Sequence, residues 1–214
     1  MILLDRRTQA LALCLSAIAG YVDAMGFLET GGFFVSFMSG NTTRLGVGLM
    51  DDRAAAGVVA ALVASFVAGV TTGSLLGRVV ASARRRAVVL LLTAALISAA
   101  AVAGGGAICI GLLAMAMGVE NAVFEENGDV RLGLTYMTGA LVKVGQRIAL
   151  SLTGGPRRQW APYLLLWSAL LTGAAAGAHA HRWLGIQGLW AAASGILVVA
   201  CLFAVLDHAA SRRR

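Results

Sequence analysis

The chain has 214 residues and a formal net charge of +7, and is 59% hydrophobic but only 13% charged. A soluble domain carries about a quarter charged residues. Uncharged runs such as Ala54–Gly77 and Ala87–Val119 exclude an ordinary water-facing fold and suit a bilayer, where a spanning helix needs about 20 apolar residues. The positive charge does not indicate nucleic acid, because it falls in short clusters between apolar runs: Arg6-Arg7, Arg84-Arg85-Arg86, Arg157-Arg158 and Arg212-Arg213-Arg214. That spacing is what the positive-inside rule produces.

The N-terminal stretch Met1–Arg7 precedes an apolar run, as in a signal peptide. No small-residue cleavage site precedes a soluble domain, however, and Asp23 interrupts the run, so it reads as a retained first span. Six segments are apolar enough to cross: about Gln9–Leu28, Ala54–Val80, Ala87–Ala103, Ala107–Phe124, Pro162–Ala180 and Gly188–Leu206. Two more, Gly32–Met50 and Gly133–Leu152, are apolar but broken by polar groups. The predicted fold class is therefore all-α: a polytopic helical membrane protein with about six spanning helices and two interrupted motif helices. Cys14, Cys109 and Cys201 all lie in apolar runs without metal-ligand spacing and read as small buried hydrophobes.

The two interrupted segments resemble each other. Met38, Gly40 and Gly46 recur as Met137, Gly139 and Gly145, while Ser36, Phe37, Ser39, Arg44 and Leu45 recur as Thr135, Tyr136, Thr138, Lys143 and Val144. Upstream, Gly20-Tyr21-Val22-Asp23-Ala24 matches Gly118-Val119-Glu120-Asn121-Ala122; downstream, Gly69 and Gly73 match Gly173 and Gly177. The chain reads as a duplication, residues 1–104 and 105–214, meeting at Gly104-Gly105-Gly106. Charge chooses between topologies. Eight spans would put Arg84–Arg86 opposite Arg6-Arg7. If each motif segment enters and leaves on one side, six helices span and all four basic clusters fall on the cytoplasmic side. Three spans per half then inverts the halves, a plan that places binding sites near the midplane. The expected location is the bacterial inner membrane, with both termini cytoplasmic.

The stretch Gly20-Tyr21-Val22-Asp23-Ala24-Met25-Gly26-Phe27, with Phe37-Met38-Ser39-Gly40-Asn41-Thr42-Thr43-Arg44-Leu45-Gly46, resembles the YoaK-like family of bacterial multi-pass membrane proteins (domain of unknown function 1275). Asn121-Ala122 and Thr135-Tyr136-Met137-Thr138-Gly139 are similar to that family's second motif, although Ala140 stands opposite Asn41. The resemblance covers nearly the whole chain and implies a multi-spanning inner-membrane protein. It implies no reaction.

The candidate site residues are Asp23, Ser39, Gly40, Asn41, Thr42, Arg44, Glu120, Asn121, Thr138, Gly139 and Lys143. A carboxylate inside an apolar run is costly and tends to face a cavity. Asp23 is then a proton- or cation-coupling group, or else a helix-end residue or partner of Arg44, and Glu120 is a second such acid. Gly40 and Gly139 permit a helix break where backbone approaches a ligand, with Ser39, Asn41, Thr42 and Thr138 supplying polar groups. The competing reading is a close helix crossing. Arg44 and Lys143 either attract an anionic or carboxylate-bearing solute or extend to the headgroups. Convergence of Asp23, Asn41, Arg44, Asn121 and Lys143 on one polar cavity is the expectation for a transporter or channel. A non-catalytic membrane module is the alternative. An enzyme ranks lowest, since none of the three histidines lies in the motifs and no phosphate loop, nucleophile elbow or zinc motif occurs. No cofactor or metal is expected. The expected partners are the lipid bilayer and a small solute or ion, with a second copy of the chain left open.

Overall fold

In a computed structural model, residues 6–126, 129–130 and 137–211 are described. Arg212-Arg213-Arg214 and, in the second motif, Thr135 and Tyr136 lie outside them. The elements are α1 (Arg6–Glu29), α2 (Met38–Asp51), α3 (Arg53–Val79), α4 (Ser82–Ala103), α5 (Gly106–Glu120), α6 (Met137–Leu152), α7 (Ala161–Leu184) and α8 (Leu189–Ser211). A 3-10 turn, Asn121–Phe124, continues α5, and another, Gly185–Gly188, joins α7 to α8. Two two-residue strands, β1 (Glu125–Glu126) and β2 (Asp129–Val130), pair antiparallel.

Among the described residues, five apolar helical stretches are long enough to cross a membrane: Arg7–Glu29, Arg53–Val79, Arg84–Ala103, Gly106–Phe124 and Ala161–Leu206. The last, of 46 residues, contains both α7 and α8. As one helix it would measure about 69 Å, more than twice the roughly 30 Å hydrocarbon core. The chain is thus a polytopic helical membrane protein, with the long helices and the two shorter motif helices falling where the hydropathy pattern puts them. Val58, Val67, Leu75, Leu91, Leu165, Leu171 and Val198 are among many exposed large apolar side chains. Such a surface is a liability in water and ordinary against lipid tails.

The buried core draws on α1, α4, α5 and α8, with Leu15, Leu90, Ile97, Leu113, Met117, Ile196 and Phe203 at its centre. Helix α7 packs on α1, α3 on α5, α2 on α3 and α6 on α7. Two closely packed pairs run parallel. Along α1 and α7, Ser16 Oγ donates to Leu166 O at 3.1 Å, and Gly173 and Gly177 press on the carbonyls of Ala17 and Tyr21. Along α3 and α5, Gly69 and Gly73 press on the carbonyls of Met115 and Val119, and Gly118 presses on that of Phe66. Small residues that let backbones touch are the means of association in lipid, where apolar side chains gain nothing by leaving one another's company.

These pairings order the two ends of the bundle. At one end the Glu29 carboxylate sits beside Gly105, in the α4–α5 turn, and 3.4 Å from His181 Nε2 of α7. At the other, Glu125 accepts from Ser74 Oγ at 2.5 Å and meets Arg85 Nη2 at 3.5 Å, while Arg86 lies over Phe203. Helix α3 runs with α5 and so starts at the Glu29 end, where α1 stops. The segment between them therefore leaves and rejoins the same end. The segment carrying α6 leaves and rejoins the Glu125 end, because α7 runs with α1. Helix α2, 14 residues long, measures about 21 Å and is too short to cross.

Candidate functional site: a cavity between the motif helices

The first motif explains how non-helical backbone survives at membrane depth. Helix α1 stops where Gly31 and Gly32 take φ of 68° and 128°, left-handed values that glycine adopts without strain. Thr30 Oγ1 fixes the turn by donating to Phe33 O and accepting from Phe33 N, both at 2.8 Å. The chain then doubles back along α1. Val35 packs on Gly26, and Asp23 Oδ1 accepts the N–H groups of Val35 (2.9 Å) and Ser36 (2.7 Å). Asp23 lies six residues before the end of α1, so the loop descends about 9 Å. Asn41, fully buried, reaches back from α2 to the same loop: its Oδ1 accepts from Phe34 N at 3.0 Å and its Nδ2 donates to Phe34 O at 2.6 Å. Irregular backbone inside a bilayer needs such partners. Gly40 makes room for the Phe37 and Phe34 rings, which meet edge-on.

Helix α2 thereby begins about 9 Å below the end of α1. A cavity of about 320 Å³ is lined by Ser36, Phe37, Met38 and Ser39 from its start, by Phe66 midway along α3, and by Met137, Thr138 and Gly139 from the first turn of α6. The N-termini of both motif helices thus face one space. Among the described residues no side chain caps α2 and the Met38 N–H turns back to Ser36 O; the positive ends of two helix dipoles add there. Ser36, Ser39 and Thr138 supply hydroxyls, while two methionines and two phenylalanines make the remaining wall apolar. Gly139 faces open space.

Of the residues marked by sequence, Ser39, Thr138 and Gly139 meet in this cavity. Asp23 lines a separate groove with Phe27, Phe34, Leu170 and Ala174. Thr42 returns its hydroxyl to Met38 O. Arg44 lies over the rings of Phe27 and Phe33, 6.0 and 5.5 Å from their centroids, and Lys143 Nζ lies 5.4 Å from the Tyr163 centroid. Each cation of the matched pair rests on aromatic rings of its own half of the molecule, and neither lines the cavity. Glu120 and Asn121 are buried at the end of α5. Sequence reasoning did not select Phe66, the one aromatic in the small-residue stretch Ala64-Ser65-Phe66-Val67-Ala68. That isolation was the available signal.

Six long apolar helices, with two shorter helices packed against α3 and α7, define a multi-pass membrane protein. A family model described as protein of unknown function (DUF1275) matches residues 11–202, and the chain belongs to that family. It is 36% identical over 197 residues to a UPF0700 transmembrane protein of Rhizobium meliloti (strain 1021), covering 92% of this chain and 86% of the relative. No solved structure matches it.

Proposed function

We propose that the protein carries or conducts a small anionic solute across the bacterial inner membrane through the cavity between α2 and α6, with no catalytic step. The observation that carries this reading is the meeting of two half-helix N-termini at one hydroxyl-lined space. Converging dipoles favour negative charge, and half-helices whose N-termini meet at one site are a recurrent way to select small solutes. Residues 1–104 and 105–214 act in this reading as inverted halves. Its support is that the packing of α1 on α7 repeats as α5 on α3, that of α2 on α3 repeats as α6 on α7, and Gly20 and Gly118 press on backbone in the same way.

Purified protein in liposomes, assayed for uptake of chloride, nitrate, formate and acetate, tests the proposal. Flux above empty vesicles is expected for at least one. Gly139→Leu should cut that flux to background at unchanged protein yield, since its side chain enters open space. A panel without flux, or a variant that conducts like the parent, would count against the cavity.

The orientation is a separate expectation. With the basic clusters cytoplasmic, single cysteines at positions 52 and 105 should react with an impermeant thiol reagent added outside intact cells, and cysteines at positions 85 and 157 should not. Outside labelling at position 85 would reverse the assignment.

A further inference from the structure

We propose that Glu120 binds a proton within the membrane and that loading and unloading this proton drives solute movement through the cavity between α2 and α6. The coupling rests on the transport reading above; the proton site does not. Glu120 is the last residue of α5 and is fully buried, and neither carboxyl oxygen has a hydrogen-bond partner among the described residues. The next residue, Asn121, is 3% exposed; its Nδ2 donates to Met117 O at 2.8 Å, and its Oδ1 also has no donor among the described residues. Three buried acceptor oxygens thus stand together in sequence with no donor. The other acids near the helix ends differ: Asp23 accepts two backbone N–H groups, Glu125 has Ser74 and Arg85, and Glu29 has His181.

A bare carboxylate in a dry interior is among the costliest groups a protein can hold, and an acid in a membrane helix is a functional site by default. The C-terminal end of α5 adds partial negative charge, which favours a bound positive ion. The charged groups of the packed elements do not supply one. On α1, Asp23 is held by the loop. On α3, Arg78 is exposed. On α4, Arg84 is exposed, Arg85 meets Glu125 and Arg86 lies over Phe203. Hard metal cations take six or more oxygens, and Glu120 with Asn121 offers three. A single proton is enough to neutralise the acid.

The site is connected to the cavity. Gly118, two residues earlier, is pressed against the carbonyl of Phe66, and Phe66 lines the space between α2 and α6. A change at the end of α5 therefore reaches the cavity wall through one backbone contact. The motif alignment places Val22, fully buried, opposite Glu120, so the acid belongs to one half alone.

The test uses dicyclohexylcarbodiimide, an apolar reagent that adds to protonated carboxyl groups inside membranes, on the full-length protein in liposomes. Peptide mass spectrometry should find the adduct on Glu120 and not on Asp23. No adduct on Glu120, or protection of Glu120 by millimolar sodium at constant pH, overturns the proton site. In the uptake assay an acid-outside gradient should accelerate anion entry several-fold, and the ratio of rates with and without the gradient should fall to one in E120Q. A gradient response that survives in E120Q overturns the coupling. An adduct on Glu120 with no anion uptake under any condition leaves the proton site standing and removes the transport reading.

Discussion

Gly173→Leu is expected to yield almost no folded protein. A Cβ at this position would lie 1.8 Å from the carbonyl oxygen of Ala17 and 2.6 Å from its carbon, inside van der Waals contact with backbone that cannot swing aside. The α1–α7 pair must separate along its length, and Ser16 then loses Leu166. Overpacking typically costs about 1–3 kcal/mol and sometimes more; with rigid backbone on both sides the cost should reach about 3 kcal/mol or exceed it. Gly139→Leu is the internal comparison, since nothing lies within 4 Å of its added Cβ and leucine is the better helix former by a few tenths to about 1 kcal/mol. Detergent-solubilised yield and melting temperature measure both. If Gly173→Leu melts within a few degrees of the parent, the close parallel crossing is wrong.

Asp23→Ala should be nearly as damaging, through a different mechanism. Its Oδ1 holds two N–H groups of the loop that carries α2 into the membrane. Removing the acceptor strands both donors in a region without water, at about 1–3 kcal/mol apiece. Asp23→Asn keeps an oxygen in place and should retain most of the stability, so the alanine variant should melt well below the asparagine variant. Thermal unfolding of the pair, with Asn41→Ala beside them, makes the comparison. Equal melting of Asp23→Ala and Asp23→Asn would mean that the loop is not held by this carboxylate.

The helices were legible because the bilayer imposes a crude rule, some twenty apolar residues per crossing, that a composition scan reads directly. The two motif segments stood out because each breaks that rule at a matching place. The matching glycines Gly69, Gly73, Gly173 and Gly177 announced close crossings, and each now sits against a neighbouring carbonyl. The cavity was only half legible. Its wall comes from both motifs, which the repeat revealed, and from Phe66, which only the pairing of α3 with α5 brings there. Polarity alone could not separate the tasks of Asp23 and Asn41, which hold a loop, from those of Ser39 and Thr138, which face a space. That difference lies in which backbone groups need partners, and a turn at Gly31-Gly32 decides it. Arg44 and Lys143 recur at matching positions, but the rings of Phe27 and Tyr163 beneath them come from α1 and α7 and left no trace in the local pattern.

The parallel pairing of α1 with α7 also sets a timetable. The first helix to leave the ribosome has as its main neighbour one of the last, with Gly173 and Gly177 made long after Gly20. At about 5–20 residues per second, α1 waits on the order of ten seconds or more while α3 and α5, closer in the chain, can already join. During that interval its Gly20 face has only lipid or a helper protein for company. Chains that stop before Ala161 should therefore carry a first helix without its main neighbour, and such fragments are natural targets for membrane quality control.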